Sequence, residues 1–314
     1  MMDKKAILGA KKVINQAIKI KEKERVLVVY DEKMKRIANV FKEALKNHEK
    51  KFFLEMPQTG GHGKEPDSIV SSALQECDVF LLLTTYSMTH TLARKTACEN
   101  GARGISAPGL SLKMLSGSVN INYEELKKSC EKFLKILKGK EILIQTPSGT
   151  NLKINISDRE FLKDDGDLSE KGKYGNIPAG EVFTAPVEEY TDGILAIDDW
   201  RKLKGGKVWI KNGKIIRSEG KTGKILERTL KDAAGKNGLK IAEFGLGLNK
   251  KAKICGNILE DEKVYGTCHI AFGNNLFHPK GNNSAKIHED IVLLKPTISI
   301  DGKTILENGS YKIF

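Results

Sequence analysis

Cysteine is scarce and shows no pairing pattern: Cys77, Cys98, Cys130, Cys255 and Cys268 are odd in number, widely scattered, and include no CxxC pair. That argues against a disulfide framework and a zinc-thiolate site, and the five read as reduced thiols. Long apolar runs are missing too. The clearest, Val79 to Leu83, is far shorter than the roughly 20 residues a bilayer span needs. The first 25 residues carry Lys every few positions, so they lack the uninterrupted apolar stretch of a secretory signal. Together these absences predict a cytoplasmic protein with no membrane partner. Arginine is the third scarcity. Only eight of the 53 basic residues are Arg, although the formal net charge is +13. Forked contacts to phosphate and guanine need Arg, whereas Lys spread along helices is usually a solvated face, so nucleic acid is not an expected partner.

What is present suffices for a substantial core. The 314 residues are 39% hydrophobic and 30% charged, which predicts a globular chain of two domains. We place them at 1–121 and 122–314. Residues 4–20 have apolar positions at helical spacing, and 25–30 form a β-branched apolar run. Asp31 then stands where it can cap a helix reaching about His48. The cycle repeats with a strand at 51–56, a Gly-rich loop, a helix at 66–76, a fully buried strand at 78–84 and a helix at 91–100. Such βα repetition predicts a parallel sheet with helices on both faces. Ligands in such sheets sit beyond the carboxyl ends of strands, so the loop 84–90 is a plausible site wall, though its Ser and Thr also suit ordinary turns.

A Lys/Glu-rich helix over 122–137 leads into a different pattern. Short runs at 142–145 and 152–156 flank Pro-Ser-Gly as a hairpin, and further strands are predicted at 193–197, 207–210, 239–244, 264–272 and 291–294, interrupted by a helix at 224–234. The fold class is therefore α/β: an N-terminal Rossmann-like parallel-sheet domain, then a mixed α+β domain with mostly antiparallel pairing.

Six histidines occur in the chain, and His269, His278 and His288 fall within twenty residues of one another. In an extended segment i and i+2 share a face, so His288 and Asp290 can present a nitrogen and a carboxylate to one ion while Glu289 faces away. His269 would add a second imidazole from a neighbouring strand. An HxD pair also forms surface ion pairs, and it gains weight from its company. Glu243 ends an otherwise apolar strand and precedes Phe-Gly-Leu-Gly, where a carboxylate is costly unless paired or metal-bound. Glu181 sits in a turn bounded by Pro178 and Pro186, a position that also suits a helix start. Two His and one carboxylate leave open positions suited to Fe(II) or, with more carboxylates, to zinc, cobalt or manganese.

The runs NIPAGEVFTAP (176–186), AEFGLGLN (242–249), ILEDEKVYGTCHIAFGNN (258–275) and IHEDIVLLKPTISIDGK (287–303), with Glu65-Pro66, 84–104 and Pro108-Gly109 in the first half, resemble the aminopeptidase T family of metallopeptidases. The resemblance covers most of the chain. It implies a two-domain, usually dimeric metalloprotein in which Glu181, Glu243, His269, His288 and Asp290 match ligand positions. The match fails at Val264, where the peptidases carry a ligating Glu, and at Leu276, where they carry a Tyr. Glu262 stands two residues off, an offset that preserves the facing side of a strand and lets a local bulge carry it to the metal. The same fold includes a branch resembling 2,5-dihydroxypyridine 5,6-dioxygenase, in which two His and one Asp hold one Fe(II); His269, His288 and Asp290 fit that set.

The leading expectation is metal-dependent hydrolysis of N-terminal peptide bonds, with a divalent ion polarising the carbonyl and a carboxylate taking the proton, Glu181 being the candidate general base where it is not a ligand. The first alternative is Fe(II)-dependent ring opening, with His90 as an acid–base group or substrate contact; His90 also suits a helix cap. The second is a non-catalytic protein that binds a metal or a small molecule.

Overall fold

Val79–Leu83 is buried along its whole length. Burying each such aliphatic side chain contributes about 1.5–3 kcal/mol, which fixes this strand in the interior of a sheet. A computed structural model describes residues 3–312 of the chain. It contains one parallel and two antiparallel sheets, arranged in two compact units.

The first unit comprises 1–128 and 164–179. Its parallel sheet runs in the order Lys51–Glu55, Val26–Tyr30, Val79–Leu83, Arg103–Ser106 and Tyr174–Asn176. Leu27, Val29, Phe80 and Leu82 meet Val70 and Leu74 of the Ser68–Glu76 helix and Ala93 and Ala97 of the Leu92–Glu99 helix in one core. Asp31 does occupy the helix-start position, but its carboxylate is spent elsewhere: Oδ1 accepts from Thr85 Oγ1 at 2.9 Å, and no capping bond forms. The first helix begins at Lys4 on the Asp3 carboxylate and passes from α-helix into a π-helical turn at Val13–Ala17.

The second unit comprises 129–163 and 180–314. Its eight-stranded antiparallel sheet contains the expected hairpin, Glu141–Gln145 paired with Asn151–Asn155, whose Ile142, Ile144, Leu152 and Ile154 alternate inward. The helix expected at 224–234 extends over Gly220–Gly238, with a break in its geometry at Ala234 and Gly235. The five-stranded sheet has the order His288–Leu293, Cys268–Gly273, Ile241–Gly247, Glu181–Thr184 and Leu162–Asp164. Its central strands are buried on both faces. The strand expected over 264–272 starts only at Cys268, because Thr267 N–H turns back onto the Val264 carbonyl and Gly266 takes a positive φ of 84°. Among the described residues no helix is long and apolar enough to cross a membrane.

Candidate metal centre

In the five-stranded sheet the register places Gly245 opposite His269, Gly247 opposite Glu181, Ala271 opposite both Glu243 and Asp290, and Gly273 opposite His288. Directly paired residues share a face and side chains alternate along a strand. Glu181, Glu243, His269, His288 and Asp290 therefore stand on one face. Gly245, Gly247, Ala271 and Gly273 occupy the rest of it, and their missing or minimal side chains leave the room the donors need. At Gly245 the need is direct: a Cβ there would fall 2.1 Å from His269 Cε1 and 2.2 Å from Nε2. Glu289 points the other way, as the alternation requires, accepting from Trp200 Nε1 at 3.0 Å and pairing with Arg201.

Glu243 is the hub. Its Oε1 lies 2.9 Å from His269 Nε2, and its Oε2 lies 2.8 Å from His278 Nε2 and 3.7 Å from His288 Nε2. His288 Nδ1 is 2.8 Å from the Asn274 carbonyl, which only accepts, so the neutral ring carries its proton on Nδ1. Its Nε2 then presents a lone pair toward Asp290 Oδ1, 3.4 Å away. Glu181 Oε2 faces His269 Nε2 at 3.6 Å, while Glu181 Oε1 is paired with the Lys263 ammonium. Lys263 also reaches Glu262 Oε1 at 2.6 Å.

Four carboxylates thus converge on one ammonium and three imidazoles, and the balance favours added positive charge. Burial opposes protonation of both rings, yet Glu243 and Glu181 raise His269 to about 9, and Asp290 and Glu243 raise His288 to about 10. Burial pushes the Glu181 carboxyl up to about 8 against the pull of Lys263. For Glu243 burial is outweighed by hydrogen bonds from His269 and His278, which hold it well below the usual carboxylate range. A proton and a divalent cation compete for the same donors in such a set.

The donors fit a divalent ion. Glu181 Oε2 and Asp290 Oδ1 are buried and accept no hydrogen bond, a state that buried carboxylate oxygens seldom keep. Among the described residues two groups bring ligand atoms within 4.8 Å of one another: Glu181, Glu243 and His269, and Glu243, His288 and Asp290. Glu243 joins them. His269 therefore meets His288 and Asp290 through Glu243 rather than in one compact triad. Nitrogen and oxygen donors without sulfur suit Fe(II), Mn(II), Co(II) or Zn(II). Cys268 is no donor here, since it alternates to the opposite face and burial pushes its thiol far up.

All five residues expected as ligands are gathered, then, and two participants went unread. His278 lies in the loop after Cys268–Gly273, where no strand periodicity applies; its one signal was its place in the histidine-rich stretch. Lys263 was hidden among the many lysines. Glu262 does reach the cluster, but it ends the short helix Ile258–Asp261, so its route is a helical turn and the strand-bulge explanation does not hold. His90 belongs to the first unit, exposed on the turn before Leu92–Glu99, and the cap of that helix is Thr91, which accepts from Arg94 N–H at 3.3 Å.

Residues 12–312 match the model of the NicX family, 2,5-dihydroxypyridine 5,6-dioxygenase. Among solved structures, a 2,5-dihydroxypyridine dioxygenase from Pseudomonas putida KT2440 superposes with a TM-score of 0.80 at 17% identity, over 98% of this chain and 97% of that one. Wild-type AmpT from Thermus thermophilus superposes with a TM-score of 0.74 at 15% identity, over 98% and 99%. At these identities the likeness shows a shared fold. No curated protein sequence gives a significant match.

Proposed function

Because the chain belongs to the 2,5-dihydroxypyridine 5,6-dioxygenase family, we propose that it is a ferrous dioxygenase that opens a hydroxylated, nitrogen-containing aromatic ring. The observation that carries this reading is the family match across nearly the whole chain, 12–312. The site agrees with it in chemistry. His269, His288 and Asp290 would hold the ion, with Glu243 between them and Glu181 at the flank. A ferrous ion held there supplies the one-electron chemistry that dioxygen needs to react with a closed-shell ring.

The chain's own residues supply the rest. Phe277 is 37% exposed and sets its ring 4.4 Å from His278 and 5.1 Å from His288, centroid to centroid, giving a planar substrate an aromatic wall beside the donors. A ring hydroxyl approaching the donors must lose its proton. Glu243 Oε2, held in place by the His278 Nε2–H 2.8 Å away, is the carboxylate that such a hydroxyl meets. The aminopeptidase expected from the sequence has weaker support, resting on a fold likeness to AmpT at 15% identity.

The test is oxygen uptake by protein loaded anaerobically with Fe(II). With 2,5-dihydroxypyridine and related hydroxylated rings, we expect one O2 consumed per ring opened and both oxygen atoms in the product. No uptake with any such ring, together with steady release of aniline from amino-acid anilides, would return the protein to the hydrolases.

A further inference from the structure

Lys263 is an unusual neighbour for a metal centre. Only 2% of the residue is exposed, and it ranks among the largest fully buried side chains of the protein. An ammonium at that depth is tolerated only where opposite charge meets it. Two carboxylates do so: Glu181 through Oε1, and Glu262 through Oε1 at 2.6 Å. Both come from separate segments, and each carries a charge that the other repels, so the point where they converge is a cation position built by the fold.

That position adjoins the proposed metal centre through Glu181. Oε1 is paired with the ammonium, while Oε2 is buried, accepts no hydrogen bond and faces His269 Nε2 at 3.6 Å. One carboxylate divided between two cation positions is the arrangement of a bridged two-ion centre, in which the ions stand about 3.5–4 Å apart. The lysine is held there by its backbone. Its carbonyl accepts from Asn249 N–H at 2.8 Å, and its N–H donates to the Glu260 carbonyl at 3.0 Å. Gly247 packs beneath, where a Cβ would meet the Val264 carbonyl oxygen at 2.1 Å.

We propose that Lys263 occupies the second cation position of a Glu181-bridged pair and thereby limits the centre to one divalent ion. The proposal rests on the reading of Glu243, His269, His288 and Asp290 as a metal centre. A fixed ammonium neutralises Glu181 and Glu262 without offering a coordination site, so an ion entering the position between these two carboxylates meets a positive charge and no free donor. Removing the charge at 263 frees both carboxylates to act as ligands.

Mn2+ serves as the probe because it accepts nitrogen and oxygen donors and reports its surroundings by electron paramagnetic resonance. Metal-stripped protein, Lys263→Met and Lys263→Arg are each titrated with Mn2+, and bound metal is counted per chain. We expect one ion in wild type and in Lys263→Arg, and two in Lys263→Met, with the spectrum of the last showing coupling between adjacent ions. Two ions in wild type, or one in folded Lys263→Met, overturns the role given to the lysine. If Lys263→Met unfolds without metal, refolding in excess Mn2+ decides: recovery with two bound ions supports the proposal, and failure to recover overturns it. A wild type that binds no Mn2+ removes the centre itself, and with it this role.

Discussion

At the scale of the residue, the centre depends on what Gly245 lacks. With a Cβ due 2.1 Å from the His269 ring, Gly245→Ala must turn that ring away from Glu243 or push the strands apart. We expect a loss of stability of about 1–3 kcal/mol, as for other overpacked sites. Metal affinity should fall about 10- to 100-fold, as when a ligand's support is disturbed. Calorimetric metal titration beside a thermal melt checks both; unchanged affinity in a folded variant would show that His269 is not positioned by this contact. His288 and Asp290 were legible because strand alternation is a local rule that one sequence displays, and Glu243 because a carboxylate in an apolar strand is costly unless paired or metal-bound. His278 and Lys263 were not, because their partners lie 35 and 82 residues away and no periodicity links a loop to a distant carboxylate.

At the scale of the element, strands and helices with strong patterns were legible and their ends less so. Val26–Tyr30, Val79–Leu83 and the 141–155 hairpin follow from apolar runs and alternation, whereas the strand Tyr174–Asn176 has three residues and no apolar signal. Helix ends depend on partners far along the chain. The start of the Leu92–Glu99 helix, capped locally by Thr91, is also held by Glu65 from another loop, whose carboxylate accepts from Leu92 N–H at 2.6 Å and Ala93 N–H at 3.1 Å. The segment 164–179 is fastened similarly. Asp167 accepts from Lys127 Nζ at 2.7 Å and from Ser169 Oγ at 2.6 Å. Partial burial works to raise the Asp167 carboxyl, but these bonds prevail and hold it below its ordinary 3.8. A lowered carboxyl stabilises the fold above its unfolded pKa and loses that contribution as pH falls through the folded one. Asp167→Asn should therefore be less stable than wild type at neutral pH, with the gap narrowing as pH drops below about 4. Denaturant melts at stepped pH would show it, and a gap that stays constant down to acid would assign the contribution to something other than the Asp167 charge.

At the scale of the whole molecule, the sequence showed a parallel-sheet part and an antiparallel part, and the structure contains both kinds of sheet. The ring-opening alternative, read from the His269, His288 and Asp290 set, is the better supported of the two enzymatic readings. All the proposed ligands lie in the second unit, on four strands that converge only when folded. An ion present at 100 times its Kd should stabilise that unit by about 2.7 kcal/mol. Hydrogen exchange should slow in Ile241–Gly247, Cys268–Gly273 and His288–Leu293 on adding metal, and hold steady in Val26–Tyr30 and Val79–Leu83. Equal slowing everywhere, or none, would mean that the ion does not bind at this face. The path of the chain carries one more consequence. It passes between the units after 128, after 163 and after 179, and the outermost strand of the parallel sheet, Tyr174–Asn176, belongs to the last return. A ribosome therefore delivers four strands of that sheet early and withholds the fifth until the 141–155 hairpin of the other unit has emerged. Until then the newborn chain exposes the bare flank of Arg103–Ser106, ready to pair with any passing strand. A gene cut short at 163 would make that interval permanent, and its product would be a sticky fragment rather than half an enzyme.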